Sequence, residues 1–240
     1  MKAHYKVAVI GGGVVGTSVL YHLAKFGWSD TLLIERNLLT SGSSWHAAGD
    51  FHRSNANANV AALQAYTIDL LSEVEEESGV NIGRHATGGI SYACNADRWD
   101  ALQATFRIYQ SMGVDDVRLI GVDEILERCP IVKPDGIIGG MFSEGTGHLD
   151  PSAMVHAYAR AARKRGASVV EKNRVTELDQ RPDGSWDVVT EQGTINAEHV
   201  VNAGGLWAKQ VGRMVGLELP VSPLEHMYLV TETIPEIAEF

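Results

Sequence analysis

The chain has 240 residues, 45% hydrophobic and 21% charged, a profile that fits one large folded domain or two modest ones. Its formal net charge of −10 argues against a nucleic-acid or anionic-membrane partner, since both call for a basic patch. No uninterrupted apolar run is long enough to span a bilayer, and Met1 to Lys6 is read as leaving no room for a secretory signal. Cys94 and Cys129 lie far apart with no C-x-x-C partner. Buried or partly buried free thiols in a reducing compartment are expected, with the cytoplasm as the default.

The first element is an apolar, strand-like run from Val7 to Ile10. It leads straight into G-x-G-x-x-G at Gly11, Gly13 and Gly16, and then into a helical stretch from Val14 to Phe26. A second apolar run, Thr31 to Ile34, ends in Glu35. In a dinucleotide site the first glycine permits the tight turn and the second lets backbone approach a pyrophosphate. The third lets helix and strand pack closely. The diphosphate sits at the helix N-terminus, facing free N–H groups and the positive dipole end. An acid about 20 positions further on, here Glu35, accepts hydrogen bonds from a ribose hydroxyl. With strand, helix, second strand and terminal acid in register, residues 5 to 36 read as one β-α-β dinucleotide unit.

A small-residue loop follows from Leu39 to Gly49, then a helical stretch from about Val60 to Ser78 with apolar positions Leu63, Ile68, Leu70, Leu71 and Val74. Its acidic run, Glu75 to Glu77, reads as a solvated face. Gly88 to Ala93 is a predicted strand, Asp97 to Met112 a helix, Val117 to Ile120 a strand, Val122 to Arg128 a short helix and Ile137 to Phe142 a strand. Asp150-Pro151 carries helix start signals and Gly166 suits the C-terminal cap. A strand restarts over Ala167 to Val170, and Arg181 to Ser185 reads as a hairpin turn. His199 to Ala203 is a strand entering Gly204-Gly205, with a helix from Leu206 to Val215. The pattern is a parallel nucleotide-binding sheet interrupted by a second layer rich in antiparallel strands. The second glycine pair either lets a helix pack tightly on its strand or lays its backbone against the same cofactor.

With Ser43-Ser44-Trp45-His46-Ala47-Ala48-Gly49 in view, the chain resembles the dimethylglycine/sarcosine dehydrogenase branch of the D-amino-acid-oxidase-like flavoproteins. The same order of pieces holds in Ile10 to Gly16, Leu33 to Arg36, Gly145 to Pro151, Arg181 to Val188, Val200 to Ala208 and Leu224 to Thr231. The resemblance covers essentially the whole chain. It implies an α/β fold, a glutathione-reductase-like Rossmann FAD-binding domain with interleaved antiparallel-sheet substrate-domain segments. The FAD-binding domain would comprise residues 1–84 and 143–219, and the substrate segments 85–142 and 220–240.

The resemblance further implies that His46 is bonded through its ring to the 8α-methyl carbon of FAD, with His52 as a nearby decoy. On its own, a histidine in such a loop reads as a solvent-facing or capping residue. Val14 and Val15 match the helix turn that passes the phosphates, Glu35 and Arg36 the adenosine ribose site, and Val175 the backbone contact to adenine. Ser43 and Ser44 are candidate hydroxyl donors to the diphosphate. Trp207 matches a flavin-contact position, although a Trp opening an amphipathic helix serves equally as core. His226 matches a histidine on the substrate side of the flavin, or is a satisfied core residue in a strand. His148 is assigned to a turn.

The implied reaction is oxidation of an N-methylated glycine, with the flavin supplying the difficult step. His226 would accept the amine proton. Arg53, Arg84 and Arg107 are possible cations for the substrate carboxylate, and spacing selects none. The implied partners are a small N-methyl amine and an electron acceptor, either a flavoprotein or oxygen, with no nucleic acid and no membrane. The branch carries a longer flavoprotein half and often a folate-binding region, so the chain is expected to be a fragment. The rival reading is a noncovalent-FAD amine or amino-acid oxidase of glycine-oxidase type, or an inactive remnant needing a partner chain.

Overall fold

In the computed structural model, residues 2–28 and 30–235 are described. The last part of the expected 220–240 substrate segment, from 236 on, lies outside the described residues. In chain order the first elements are β1 (His4–Ile10), α1 (Val14–Lys25), β2 (Thr31–Ile34), a 3-10 turn (Ser44–His46), β3 (Asp50–Phe51) and α2 (Ala58–Ser78). Next come β4 (Gly89–Ala93), α3 (Ala96–Ser111), β5 (Val117–Ile120), α4 (Val122–Arg128), β6 (Gly139–Ser143) and β7 (Gly147–His148). Last are α5 (Pro151–Lys164), β8 (Ser168–Val170), β9 (Val175–Gln180), β10 (Trp186–Thr190), β11 (Gly193–Asn202), a 3-10 turn (Gly205–Trp207) and α6 (Ala208–Arg213).

The chain divides into two units, and the first comprises Met1–Gly49, Ser72–Gly83 and Leu149–Leu224. It holds a six-stranded sheet in the order β8-β2-β1-β11-β10-β9. β8, β2, β1 and β11 run parallel, and the β11-β10-β9 pairings are antiparallel. Val7 to Ile10 of β1 and Leu32 to Ile34 of β2 form unbroken apolar runs because a central parallel strand is covered on both faces; these residues and Thr31 are all buried. α5 starts as its sequence dictates. Pro151 takes the first turn and the Asp150 carboxylate accepts from the Ser152 and Ala153 N–H groups. Its alanine-rich face lies against α1, where the Tyr21 and Tyr158 rings stand 5.4 Å apart.

The acidic run expected to be a solvated face is partly a structural anchor. The Glu77 carboxylate takes two bonds from the Arg165 guanidinium, at 2.6 and 2.8 Å. The fully buried Tyr21 donates its hydroxyl to Glu73 and Glu77, at 3.1 and 3.3 Å. Burial, and then the Glu73 carboxylate, pushes the Tyr21 phenol well above its ordinary value, so it remains a donor. The Glu75 carboxylate accepts from the Ile82 N–H at 3.0 Å.

The second unit comprises Asp50–Leu71, Arg84–His148 and Glu225–Phe240. Its three-stranded antiparallel sheet has the order β4-β6-β5, with Ile120, Ile125 and Phe142 as a small core. β3 and β7 form a separate antiparallel pair. On α2 the buried stripe begins only at Ile68, with Leu63 exposed, and two expectations are corrected here. Cys94 is exposed, and only Cys129 is partly buried. The stretch around His226 forms no strand among the described residues, and Leu224, Met227, Leu229 and Val230 are exposed there. An apolar, β-branched run states a preference for pairing, but without a partner strand it stays irregular.

Replacing Glu77 by Ala strands both the Arg165 guanidinium and one acceptor of the Tyr21 hydroxyl. A loss of about 1–2 kcal/mol is expected in urea unfolding, because the pair is partly solvent-screened. Tyr21→Phe should lose less, about 0.5–1.5 kcal/mol.

Candidate functional site

The site begins where β1 stops. The chain turns at Gly11, whose φ of +116° is left-handed territory that favours glycine. Its N–H is bonded to the Ile34 carbonyl at 2.9 Å, which ties the turn to the end of β2. A Cβ on Gly11 would overlap the Ala203 carbonyl oxygen, and one on Gly16 would overlap the Gly11 carbonyl oxygen. The start of α1 therefore rests directly on the ends of β1 and β11. Gly13 differs: its φ is −81°, open to any residue, and a Cβ there would come 3.1 Å from Ser44 Oγ.

Two side chains fix this turn. The Gly12 N–H donates to one Glu35 carboxylate oxygen at 2.6 Å, and the Asn37 N–H to the other at 2.8 Å. The Val14 N–H donates to Ser44 Oγ at 2.9 Å, so a serine 30 residues away does the capping that Gly13 cannot. The Gly12 carbonyl accepts from the Thr40 N–H at 3.1 Å, and Thr40 adopts a φ of +76°, costly for a β-branched residue.

A cavity of about 410 Å³ opens above the turn. It lies where the chain leaves β1 for β2 on one side and β11 borders β1 on the other, the crevice in which open α/β sheets bind ligands. Gly11, Gly13, Val14 and Val15 line it from the turn and the helix start, and Glu35 and Arg36 from the end of β2. Ser43 and Ser44 line it from the following loop, Val175 from β9, and Gly204 and Trp207 from the turn after β11. The Arg36 guanidinium lies 3.9 Å from the centre of the Trp207 ring, so residues from the two flanks of β1 meet directly. A Cβ on Gly204 would come 3.2 Å from the Ala208 nitrogen, so that glycine both packs tightly and faces the cavity.

Other residues expected at the site lie elsewhere. Gly16 is buried beneath the turn and does not line the cavity. His46 is exposed on the 3-10 turn that begins at Ser44. His226 is counted with the second unit, exposed in a stretch without regular structure. Of the candidate carboxylate-binding cations, Arg53 pairs with Asp69, and Arg84 lies over the Phe51 ring at 5.7 Å. His148 is stacked on His85, with ring centroids 4.9 Å apart.

Sequence reading also passed over several lining residues, among them Gly12, Asn37, Arg174, Asn202 and Gln210. Asn202 left a readable signal, an Asn at a strand end before glycines. Its side chain accepts from the Gly204 N–H at 3.1 Å and donates to the Ala208 carbonyl at 2.8 Å, shaping that turn. Gln210 leaves no such mark in a helix of six residues.

The arrangement suits an adenosine diphosphate group: helix N-terminus for the phosphates, fixed carboxylate for ribose hydroxyls, and glycine backbone where a side chain would intrude. The family described as DAO, FAD dependent oxidoreductase, matches residues 6–239. The mitochondrial dimethylglycine dehydrogenase of Rattus norvegicus is 40% identical over 240 residues, covering 98% of this chain and 27% of that protein. The mitochondrial sarcosine dehydrogenase of Homo sapiens is 36% identical over 237 residues, covering 96% of this chain and 26% of that protein. The crystal structure of glycine oxidase from Geobacillus kaustophilus superposes with a TM-score of 0.78 at 29% identity, covering 91% of this chain and 60% of that one. The chain thus spans about a quarter of the length of the two dehydrogenases.

The glycines separate fold from binding. Gly16→Ala should destabilise the first unit by about 1–3 kcal/mol in thermal or urea unfolding, because the new methyl meets backbone. Gly13→Ala, whose new methyl meets only the Ser44 hydroxyl, should cost less in the same measurement while weakening FAD binding roughly tenfold or more, read by flavin fluorescence quenching.

Proposed function

The chain belongs to the FAD dependent oxidoreductase family, and on that premise we propose that it holds FAD and oxidises an N-methylated glycine, dimethylglycine or sarcosine. The observation that carries this reading is the glycine-turn cavity with Glu35 bonded in place, in a chain 40% identical to a dimethylglycine dehydrogenase over nearly its whole length. FAD, when bound, supplies the acceptor for a hydride from the N-methyl carbon. The glycine turn and the α1 N-terminus hold the diphosphate, the Glu35 carboxylate accepts from the ribose hydroxyls, and the Val175 backbone meets the adenine. Ser43 and Ser44 border the phosphates from the loop.

His46 is assigned to covalent attachment of the flavin. Support comes from the Ser-Trp-His-Ala-Ala-Gly segment and from its place two residues after Ser44, which is itself bonded to the first residue of α1. His226 is the residue assigned to accept the amine proton, which must leave before the nitrogen lone pair can assist hydride departure. A flavoprotein or dioxygen serves as electron acceptor. A reducing compartment, the cytoplasm, fits the two free cysteines.

A noncovalent amine or amino-acid oxidase is the second reading, favoured by the similarity to the solved glycine oxidase. Acid precipitation separates the two. Yellow colour remaining in the pellet, lost to the supernatant in His46→Ala, is the expected result. Flavin released from the parent protein, with glycine turned over in preference to dimethylglycine, favours the second reading. A preparation that binds no flavin at all overturns both. Glu35→Ala should weaken FAD binding about tenfold to a hundredfold, the range for a charge-assisted hydrogen bond.

A further inference from the structure

The second unit holds a cavity of its own, about 320 Å³, which shares no lining residue with the one above the glycine turn. Its floor is one face of the three-stranded sheet. Ile90 and Tyr92 lie two apart on β4 and so share that face, and the register sets Ile90 beside Phe142. α4 covers the face only in part. Its buried Ile125 packs with Ile120 and Phe142, and a Cβ on Gly140 would come 3.1 Å from the Ile125 side chain. The helix has only seven residues and ends at Arg128, with Cys129 and Pro130 next in the chain. Past its end the Ile90 and Tyr92 side of the sheet has no helix over it, and the cavity lies there, with Cys129 and Val132 in its wall.

Arg128 is the one charged group among the described lining residues, and it is held in place. Its Nε donates to the Glu124 carboxylate at 2.8 Å, and the guanidinium lies 4.0 Å from the centre of the Phe142 ring. Arg118 binds the same carboxylate through both terminal nitrogens, so one acid is shared by two cations, which hold its carboxyl down to about 2. Glu144 acts on Arg118 by charge alone. The terminal nitrogens of Arg128 have no hydrogen-bond partner among the described residues. A guanidinium fixed through Nε and open at its fork suits a carboxylate, and the apolar floor beside it suits a hydrocarbon body. No acid among the lining residues receives an ammonium, so the zwitterionic N-methylated glycine of the proposed reaction is a poor match. We infer that this cavity binds a small carboxylate with an uncharged, apolar body, with Arg128 taking the carboxylate. The site is independent of the flavin assignments above.

The test is equilibrium dialysis of phenylacetate and its neutral amide, phenylacetamide, against the full chain with FAD present, parent and Arg128→Gln. The parent should bind phenylacetate with a dissociation constant below about 1 mM and about tenfold more tightly than the amide, as one exposed charge-assisted pair supports. Arg128→Gln should bind acid and amide alike, at the parent's affinity for the amide. Bound phenylacetate should also slow iodoacetamide alkylation of Cys129, read by peptide mass spectrometry, and spare the exposed Cys94, which does not line the cavity. No binding up to about 10 mM overturns the inference. So does equal affinity of the parent for acid and amide, which would make the occupant merely apolar. Phenylacetate binding that Arg128→Gln leaves unchanged, or that leaves Cys129 alkylation unchanged, places the ligand elsewhere and overturns it too. Displacement of phenylacetate by an equal concentration of dimethylglycine makes this the substrate's site and has the same effect.

Discussion

The fit of helix α1 onto two strand ends is the constraint on which the rest of the first unit depends. Gly16 leaves no room for a methyl beside the Gly11 carbonyl, and Gly11 leaves none beside the Ala203 carbonyl. With those two positions bare, the helix starts directly at the end of β1, between the ends of β2 and β11, and Val14 and Val15 line the cavity there. Any side chain at either glycine pushes helix and strand apart and moves the start of α1 relative to the cavity. The Glu35 bonds to Gly12 and Asn37, and the Ser44 cap on Val14, then secure a turn whose shape sterics have already decided.

Much of this was legible because the decisive contacts are local. Val7 to Gly16 announces strand, turn and helix within ten residues, and Asp150-Pro151 announces α5 through backbone capping alone. Arg181 to Ser185 likewise names its own hairpin, closed by the Arg181 N–H to Ser185 carbonyl bond at 2.8 Å. What escaped depends on distant partners. Glu77 reads as one more surface acid, since Arg165 lies 88 residues further on. Thr40 gives no local hint of a positive φ, because the bond that rewards it goes to Gly12. The 224–231 stretch shows the converse: a local preference for strand exists, and it forms no strand among the described residues.

The small-residue loop from Leu39 to Gly49 looks unstructured in composition and is closely held in fact. It meets the glycine turn through Thr40 and Ser44, and the Leu39 N–H is bonded to Glu171 at 3.0 Å. At its far end Gly49, with a φ of +84°, lies so close to the Leu149 carbonyl that a side chain would overlap it. Small residues serve here because backbone passes backbone at several points. The loop that carries Ser43, Ser44 and His46 is thereby tied to the glycine turn and to Glu171 by named bonds rather than left loose.

Glu35 carries a consequence of its own. Both of its oxygens are occupied by backbone donors on either side, so the carboxylate cannot swing away from an unwelcome neighbour. A nucleotide bearing an extra phosphate on its adenosine ribose would set that dianion against a stationary negative charge. In the proposed FAD site, nucleotides would be discriminated at this end of the crevice by repulsion from a carboxylate held on both oxygens.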